Sequence, residues 1–173
     1  MKLNAPNALS LARLPLAVAF IFAESTLLRG VVIITAGLTD FIDGWIARHF
    51  RQRSRAGELL DPVTDKLFVF TVLITLLVRG HLLWWELFLL LLRDLYNTLV
   101  FTALKLRRVD LQFKARMSGK VVTVLQIATI FAITVVPAVA RVTLLVAVAA
   151  SIYAIVDYTR YGLRCLRGTP RPG

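Results

Sequence analysis

Cysteine is almost missing from this chain: Cys165 is the only one in 173 residues. A single thiol excludes an internal disulfide and a multi-cysteine metal site. Histidine is nearly as scarce, with two in the chain, and His49 reads as a membrane-interface side chain. Acidic residues number only ten, against 21 lysines and arginines, for a net charge of +11. In a soluble protein that balance would point to nucleic acid. No polar domain remains here to host such binding, so no nucleic-acid partner is expected. Also absent are a Gly/Ser linker, a low-complexity stretch, a shift of composition and an internal repeat. Residues 1–173 are therefore expected to form a single domain.

What fills the chain instead is apolar sequence, at 58% hydrophobic residues. A soluble domain usually carries roughly 45–50%, and several runs here approach the ~20 residues that a helix needs to cross a bilayer. The fold class expected is an all-α, multi-pass integral membrane protein. Six transmembrane helices fit residues 8–22, 30–49, 60–78, 82–104, 118–136 and 142–161. A short interfacial segment precedes the first, with Asn7 as a candidate N-cap. No clear small-x-small cleavage pattern follows the first apolar run, so it reads as an uncleaved helix.

The basic residues set the topology. Arg51, Arg53 and Arg55 follow the second span, and Lys105, Arg107, Arg108, Lys114 and Arg116 follow the fourth. Arg164, Arg167 and Arg171 lie in the tail, whereas the opposite side shows only Arg29, Arg79 and Arg141. Lys and Arg gather on the cytoplasmic face beside anionic lipid. Both termini and both long loops are thus expected in the cytoplasm of an inner (cytoplasmic) membrane. Arg13 is expected to snorkel to the headgroups.

Against this background Asp40, Asp43, Asp61 and Asp65 stand out, four of the ten acidic residues in sequence that otherwise reads as membrane-spanning. Ionisable groups in such a place are costly and point to function. Asp40, Asp43, Gly44 and Ala47 fall at i, i+3, i+4 and i+7, and so share one helix face with Arg48 at its edge. Asp61 and Asp65, four apart, share a face of the next helix, with Pro62 expected in its first turn. Four converging carboxylates cannot all stay ionised without cations. All-oxygen donors suit Mg²⁺ or Mn²⁺, and a pair of such ions clamps the oxygens in phosphoryl transfer. Small residues at positions 44 and 47 let a phosphate-bearing ligand approach the backbone, and Arg48 can meet a phosphate oxygen. The same carboxylates would also suit an ion-coupled membrane carrier.

The full pattern, Asp40-x2-Asp43-Gly44-x2-Ala47-Arg48-x8-Gly57-x3-Asp61-x3-Asp65, fixes eight positions in 26 residues. It resembles the signature of the CDP-alcohol phosphotransferase family. The likeness extends to Pro6-Asn7-x-Leu9-Ser10-x2-Arg13 and to Gly119-Lys120-x2-Thr123-x2-Gln126. It implies that Asp40, Asp43 and Asp61 ligate two divalent ions. Asp65 would be the general base that deprotonates an attacking alcohol while lying beside a metal. Gly44, Arg48, Ser54 and Gly57, joined by Asn7, would contact CDP. The resemblance also implies a homodimer, CDP-diacylglycerol as donor and CMP as leaving group.

The acceptor is expected to be set outside that motif. Arg93 and Asp94 are neighbours deep in apolar sequence, and residues at i and i+1 of a helix do not face each other. The two read either as a buried ion pair between neighbours or with Arg93 expected to reach toward an anionic acceptor. Arg116 and Lys120, four apart, share a face and would complete a cationic pocket with Lys114. Such a pocket favours glycerol 3-phosphate, and the Gly-Lys segment looks most like the branch that forms phosphatidylglycerophosphate. The Arg93-Asp94 dipeptide looks more like the cardiolipin-forming branch, whose acceptor is phosphatidylglycerol. Tyr153 and Asp157, four apart, are expected to line the bundle interior, with simple exposure near the cytoplasmic end the other reading for Asp157.

Overall fold

The computed structural model describes residues 10–49, 55–106 and 117–166. Among these residues every regular element is helical. In chain order they are α1 (Arg13–Phe22), α2 (Thr26–His49), α3 (Arg55–Val78), α4 (Trp84–Leu106), α5 (Met117–Val135) and α6 (Pro137–Leu166). Asn7, Ser54, Lys114 and Arg116 lie outside the described residues.

Helix boundaries depart from the sequence reading where caps and prolines act. Helix α2 starts at Thr26, before the expected residue 30, because Ser25 caps it: Leu28 N–H donates to Ser25 Oγ at 3.2 Å. Helix α3 starts at Arg55, so Pro62 is not in its first turn as expected but in its third. A proline removes one backbone donor, which bends or weakens a helix without having to end it. Helix α6 starts at Pro137, where a missing N–H costs nothing, and runs for 30 residues.

By length and composition, two stretches among the described residues could cross a membrane, Met117–Val135 and Pro137–Leu163. Only 22% of the apolar window in the second is buried within the protein. The core helix of a soluble domain would be mostly covered, so this surface calls for an apolar surrounding. Tyr153, expected to face inward, is exposed on α6. Helix α1, with ten residues, is about half the length a crossing requires.

The chain divides into two compact units, Met1–Leu83 with Ile130–Pro137 and Trp84–Thr129 with Ala138–Gly173. In the first, α1 packs on α3 and α2. Arg13, Ala17 and Phe20, at i, i+4 and i+7, form its buried face. Phe68, Val72 and Leu76 form the buried stripe of α3. The end of α1 is held by two arginines: Arg29 Nε donates to Ala23 O at 3.0 Å and Arg79 Nη2 to Ile21 O at 2.6 Å. Cations at a helix C-terminus satisfy its orphan carbonyls and oppose its dipole. Helix α3 ends in a Schellman turn, with His81 N–H bonding Leu76 O and Gly80 N–H bonding Leu77 O around a left-handed Gly80 (φ 73°). Gly30 marks a close approach, since a Cβ there would lie 2.9 Å from Val135 Cγ2.

In the second unit the buried residues of α5 and α6 are small or polar as often as apolar. Val122, Gln126 and Thr129 line α5; Leu144, Ala147, Ser151 and Ala154 line α6. Small and hydroxylated side chains let apolar helices approach closely, and the hydroxyls return their hydrogen bonds to their own helices. Thr129 Oγ1 donates to Leu125 O, and Ser151 Oγ to Ala147 O, both at 2.8 Å.

Candidate active site

Helix α2 runs unbroken from Thr26 to His49, so Asp40, Asp43, Gly44, Ala47 and Arg48 keep helical spacing along its last turns. Gly57 and Asp61 lie in the first two turns of α3, and Asp65 follows one turn later. The side chains of Asp40, Asp43, Arg48 and Asp61 lie outside the described residues, and Asp65 carries the local geometry.

Asp65 is partly open, with 42% of its side chain exposed, and its Oδ1 accepts a charge-assisted hydrogen bond from Arg13 Nη1. Arg13 itself is only 2% exposed. This corrects the expectation of a headgroup-facing arginine: Arg13 turns inward and forms an ion pair with a residue 52 positions away. The reason lies in α1's rotation. Arg13 shares the buried face with Ala17 and Phe20, so packing those two against the unit's core carries the guanidinium with them. No spacing rule in the sequence connects residue 13 to residue 65, and the arginine was missed for that reason.

A second polar cluster lies in the other unit. Arg93 Nη1 donates to Gly119 O at 2.7 Å and to Thr123 Oγ1 at 3.2 Å, while Nη2 donates to Asp94 Oδ1 at 2.7 Å. The neighbours thus pair despite their i, i+1 spacing, because the long arginine side chain curls back over the shorter aspartate. Gln126 Nε2 donates to Leu90 O at 3.1 Å and lies 3.5 Å from Asp94 Oδ2. Gly119, Thr123 and Gln126, at i, i+4 and i+7, form the face of α5 that docks on Arg93 and Asp94. Three residues of the Gly-Lys segment therefore hold α4 to α5, while Lys120, one position off that face, is exposed. The Arg93 Nε is buried and has no hydrogen-bond partner among the described residues.

The first turn of α5 is also tied to α6. Ser118 Oγ donates to Asp157 Oδ2 at 2.8 Å, and the Tyr158 hydroxyl sits over Gly119, where a Cβ would lie 2.5 Å from it. Tyr96 and Thr159 share a further hydroxyl hydrogen bond. Asp157 is half-buried and linked to Ser118.

The candidate donors are carboxylates on two consecutive helices, the all-oxygen ligand type that hard divalent cations take, and Asp65 already lies against a cationic side chain. No group of three or more His, Cys, Asp or Glu placed to hold a metal ion occurs among the described residues, which do not include the side chains of Asp40, Asp43 and Asp61.

The chain belongs to the CDP-alcohol phosphatidyltransferase family, which it matches over residues 3–153. The family and the two long apolar helices make it a membrane protein. Among individual relatives, the CDP-diacylglycerol--glycerol-3-phosphate 3-phosphatidyltransferase of Aquifex aeolicus is 42% identical over 76 residues, 42% of this chain and 43% of the relative. The Haemophilus influenzae protein of the same name is 34% identical over 90 residues, 49% of each chain. A Mycobacterium tuberculosis protein named "Putative cardiolipin synthase" is 40% identical over 96 residues, 53% of this chain and 46% of that one. The matched stretches thus span about half the length of these curated relatives.

Proposed function

We propose that this protein is a phosphatidyltransferase that moves the phosphatidyl group of CDP-diacylglycerol to an alcohol and releases CMP, a step of phospholipid biosynthesis. The observation that carries the reading is a partly open Asp65 held by a buried arginine, one turn beyond Asp61 in a family motif that runs from Asp40. Asp65 takes the proton of the acceptor hydroxyl. The alcohol oxygen then forms a bond to the phosphorus next to the diacylglycerol, the bond from that phosphorus to the CMP oxygen breaks, and CMP leaves with the electron pair. The proton passes from Asp65 to solvent, so no covalent enzyme intermediate is needed.

Asp40, Asp43, Asp61 and Asp65 would hold two Mg²⁺ or Mn²⁺ ions, whose positive charge offsets the charge that develops on the diphosphate. Gly44 and Gly57 leave room for CDP, while Arg48, Ser54 and Asn7 hydrogen-bond its phosphates and cytidine. Arg93, Arg116 and Lys120 form the acceptor pocket. The exposed Lys120 supports that assignment, since it is a cationic donor with capacity for an anion. The favoured acceptor is glycerol 3-phosphate, as the names of the Aquifex and Haemophilus relatives suggest. Phosphatidylglycerol, giving cardiolipin, is the second reading, favoured by Arg93-Asp94 and by the mycobacterial relative.

In the cell we place the chain as a single domain with six spans and an interfacial N-terminal segment in the cytoplasmic (inner) membrane. Both termini and the active site face the cytoplasm, and the protein works among membrane lipids as a homodimer. The test is an acceptor screen on purified protein in detergent with CDP-diacylglycerol and Mg²⁺, with products identified by mass spectrometry. CMP release with glycerol 3-phosphate and a phosphatidylglycerophosphate product is expected. If neither glycerol 3-phosphate, phosphatidylglycerol, serine nor inositol phosphate releases CMP, the transferase reading fails and an ion-coupled carrier takes its place.

A further inference from the structure

Arg13 has no role in the chemistry described so far, yet it is among the most enclosed side chains of the described residues, at 2% exposure. Ser10, one turn earlier, is fully buried as well. Burying a guanidinium is costly unless its charge is met and its donors are used. Near the end of an apolar helix the inexpensive alternative is to extend into the headgroups. The chain does the opposite, which requires that the inward position be worth more than solvation.

The geometry shows what is gained. Arg13, Ala17 and Phe20 form one face of α1; Asp65, Phe68, Val72 and Leu76 follow helical spacing along α3. The two helices pack together, and the ion pair closes one end of an otherwise apolar seam. The apolar contacts below fix the rotation of both helices, so the guanidinium cannot follow the carboxylate if the latter swings. Exposure is lopsided, 2% for Arg13 against 42% for Asp65. One partner is anchored in the core while the other faces the open side.

We propose that Arg13 is a positioning residue for Asp65: its buried guanidinium fixes Oδ1 of the carboxylate and places a permanent positive charge against it. The inference rests on reading Asp65 as the base in phosphatidyl transfer. It extends the motif's machinery to a residue 27 positions before its first aspartate. A carboxylate held in one orientation meets the acceptor hydroxyl without first being ordered, and misplacing a reacting group by about 1 Å is enough to lose roughly a hundredfold in rate.

The experiment compares wild type, Arg13→Lys, Arg13→Gln, Asp65→Asn and the double variant Arg13→Gln/Asp65→Asn, each purified in detergent. Thermal unfolding in EDTA reads the ion pair without metal or turnover. The double variant, which removes both charges, is expected to lose less in melting temperature than the two single losses added together, because the attraction between the pair is lost only once. Additive losses in melting temperature would overturn the pairing. Steady-state CMP release reads the positioning. Arg13→Gln is expected to lose roughly ten- to a hundredfold in kcat per folded molecule, with KM for CDP-diacylglycerol changed less than about threefold. Arg13→Lys, which keeps the charge, is expected to recover a large part of that loss. Wild-type turnover alongside an Arg13→Gln enzyme of unchanged kcat would overturn the Arg13 role alone. A wild type that releases no CMP would overturn the transferase reading and this role together.

Discussion

Gly119 offers the sharpest structural test, because it sits in the first turn of α5 where three restraints meet. Its carbonyl accepts from Arg93, its neighbour Ser118 bonds Asp157, and its missing side chain is replaced by the Tyr158 hydroxyl. Placing a Cβ on Gly119 puts carbon 2.5 Å from that oxygen, while the next atoms of the ring lie at 3.5 and 3.6 Å. The clash is therefore with one atom, at the end of a stiff ring. Overpacking of this kind costs about 1–3 kcal/mol, against a gain of at most about 1 kcal/mol from alanine's helix propensity. Gly119→Ala should thus destabilise by up to about 2 kcal/mol, a fall of up to roughly 8 °C in melting temperature for a chain of this size. Tyr158→Phe removes the offending oxygen and leaves only ordinary contacts. In that background Gly119→Ala should be neutral to stabilising by about 1 kcal/mol. The check is thermal unfolding of the four proteins in one detergent. The reasoning is refuted if Gly119→Ala melts at or above wild type, or if its loss is the same with and without the Tyr158 hydroxyl.

Three further outcomes are expected. Asp65→Asn should keep nucleotide binding, measured by calorimetry with CDP, yet remove turnover; undiminished CMP release would exclude Asp65 as the base. Lys120→Ala should raise the apparent KM for an anionic acceptor by tenfold or more, the loss of about one charge-assisted contact of ~1.5 kcal/mol, with little change for CDP-diacylglycerol. Equal effects on both substrates would place Lys120 outside the acceptor pocket. Gly80→Ala, forced into a left-handed conformation at the end of α3, should lower stability by about 1–2 kcal/mol in the same unfolding assay, and Gly80→Asn by less.

Much of this organisation was legible in the sequence because it depends on period and composition. Helical spacing placed Asp40, Asp43 and Gly44 on one stripe, and α2 is indeed continuous through them. The Gly119, Thr123 and Gln126 spacing likewise marks one face, although its structural task, gripping Arg93 and Asp94, could not be read without α4 beside it. Boundaries were lost where a single residue decides them. Ser25 starts α2 early by one side-chain hydrogen bond, and Pro62 was given the power to begin a helix that in fact passes through it.

The arginines show why the rest stayed hidden. From sequence, Arg13, Arg29 and Arg79 are cations near span ends with lipid headgroups as the default partner, while Arg93, deep in apolar sequence, has a neighbouring aspartate or an anionic acceptor as its candidate partner. In the structure Arg13 pairs with Asp65, Arg29 and Arg79 bond the carbonyls that end α1, and Arg93 bonds a carbonyl, a hydroxyl and a carboxylate. Composition predicts that a cation needs an anion or a carbonyl but is silent about which one. The choice follows from helix rotation, and rotation is set by apolar residues that carry no chemistry: Ala17 and Phe20 for Arg13, and the buried Leu90 and Val122 on the two helices that carry Arg93 and its partners. Changing those residues should alter the site without touching a charge. Phe20→Ala, which would open a cavity in a fully buried seam and cost about 3–5 kcal/mol if α1 does not shift, has a second possible response. If α1 instead rotates to refill the space, it carries Arg13 off Asp65. The stability loss is then smaller, while kcat falls as it does in Arg13→Gln. The two responses are separated by measuring unfolding and turnover on the same sample, and a Phe20→Ala enzyme with reduced stability and unchanged kcat would show that the seam does not set the position of Arg13.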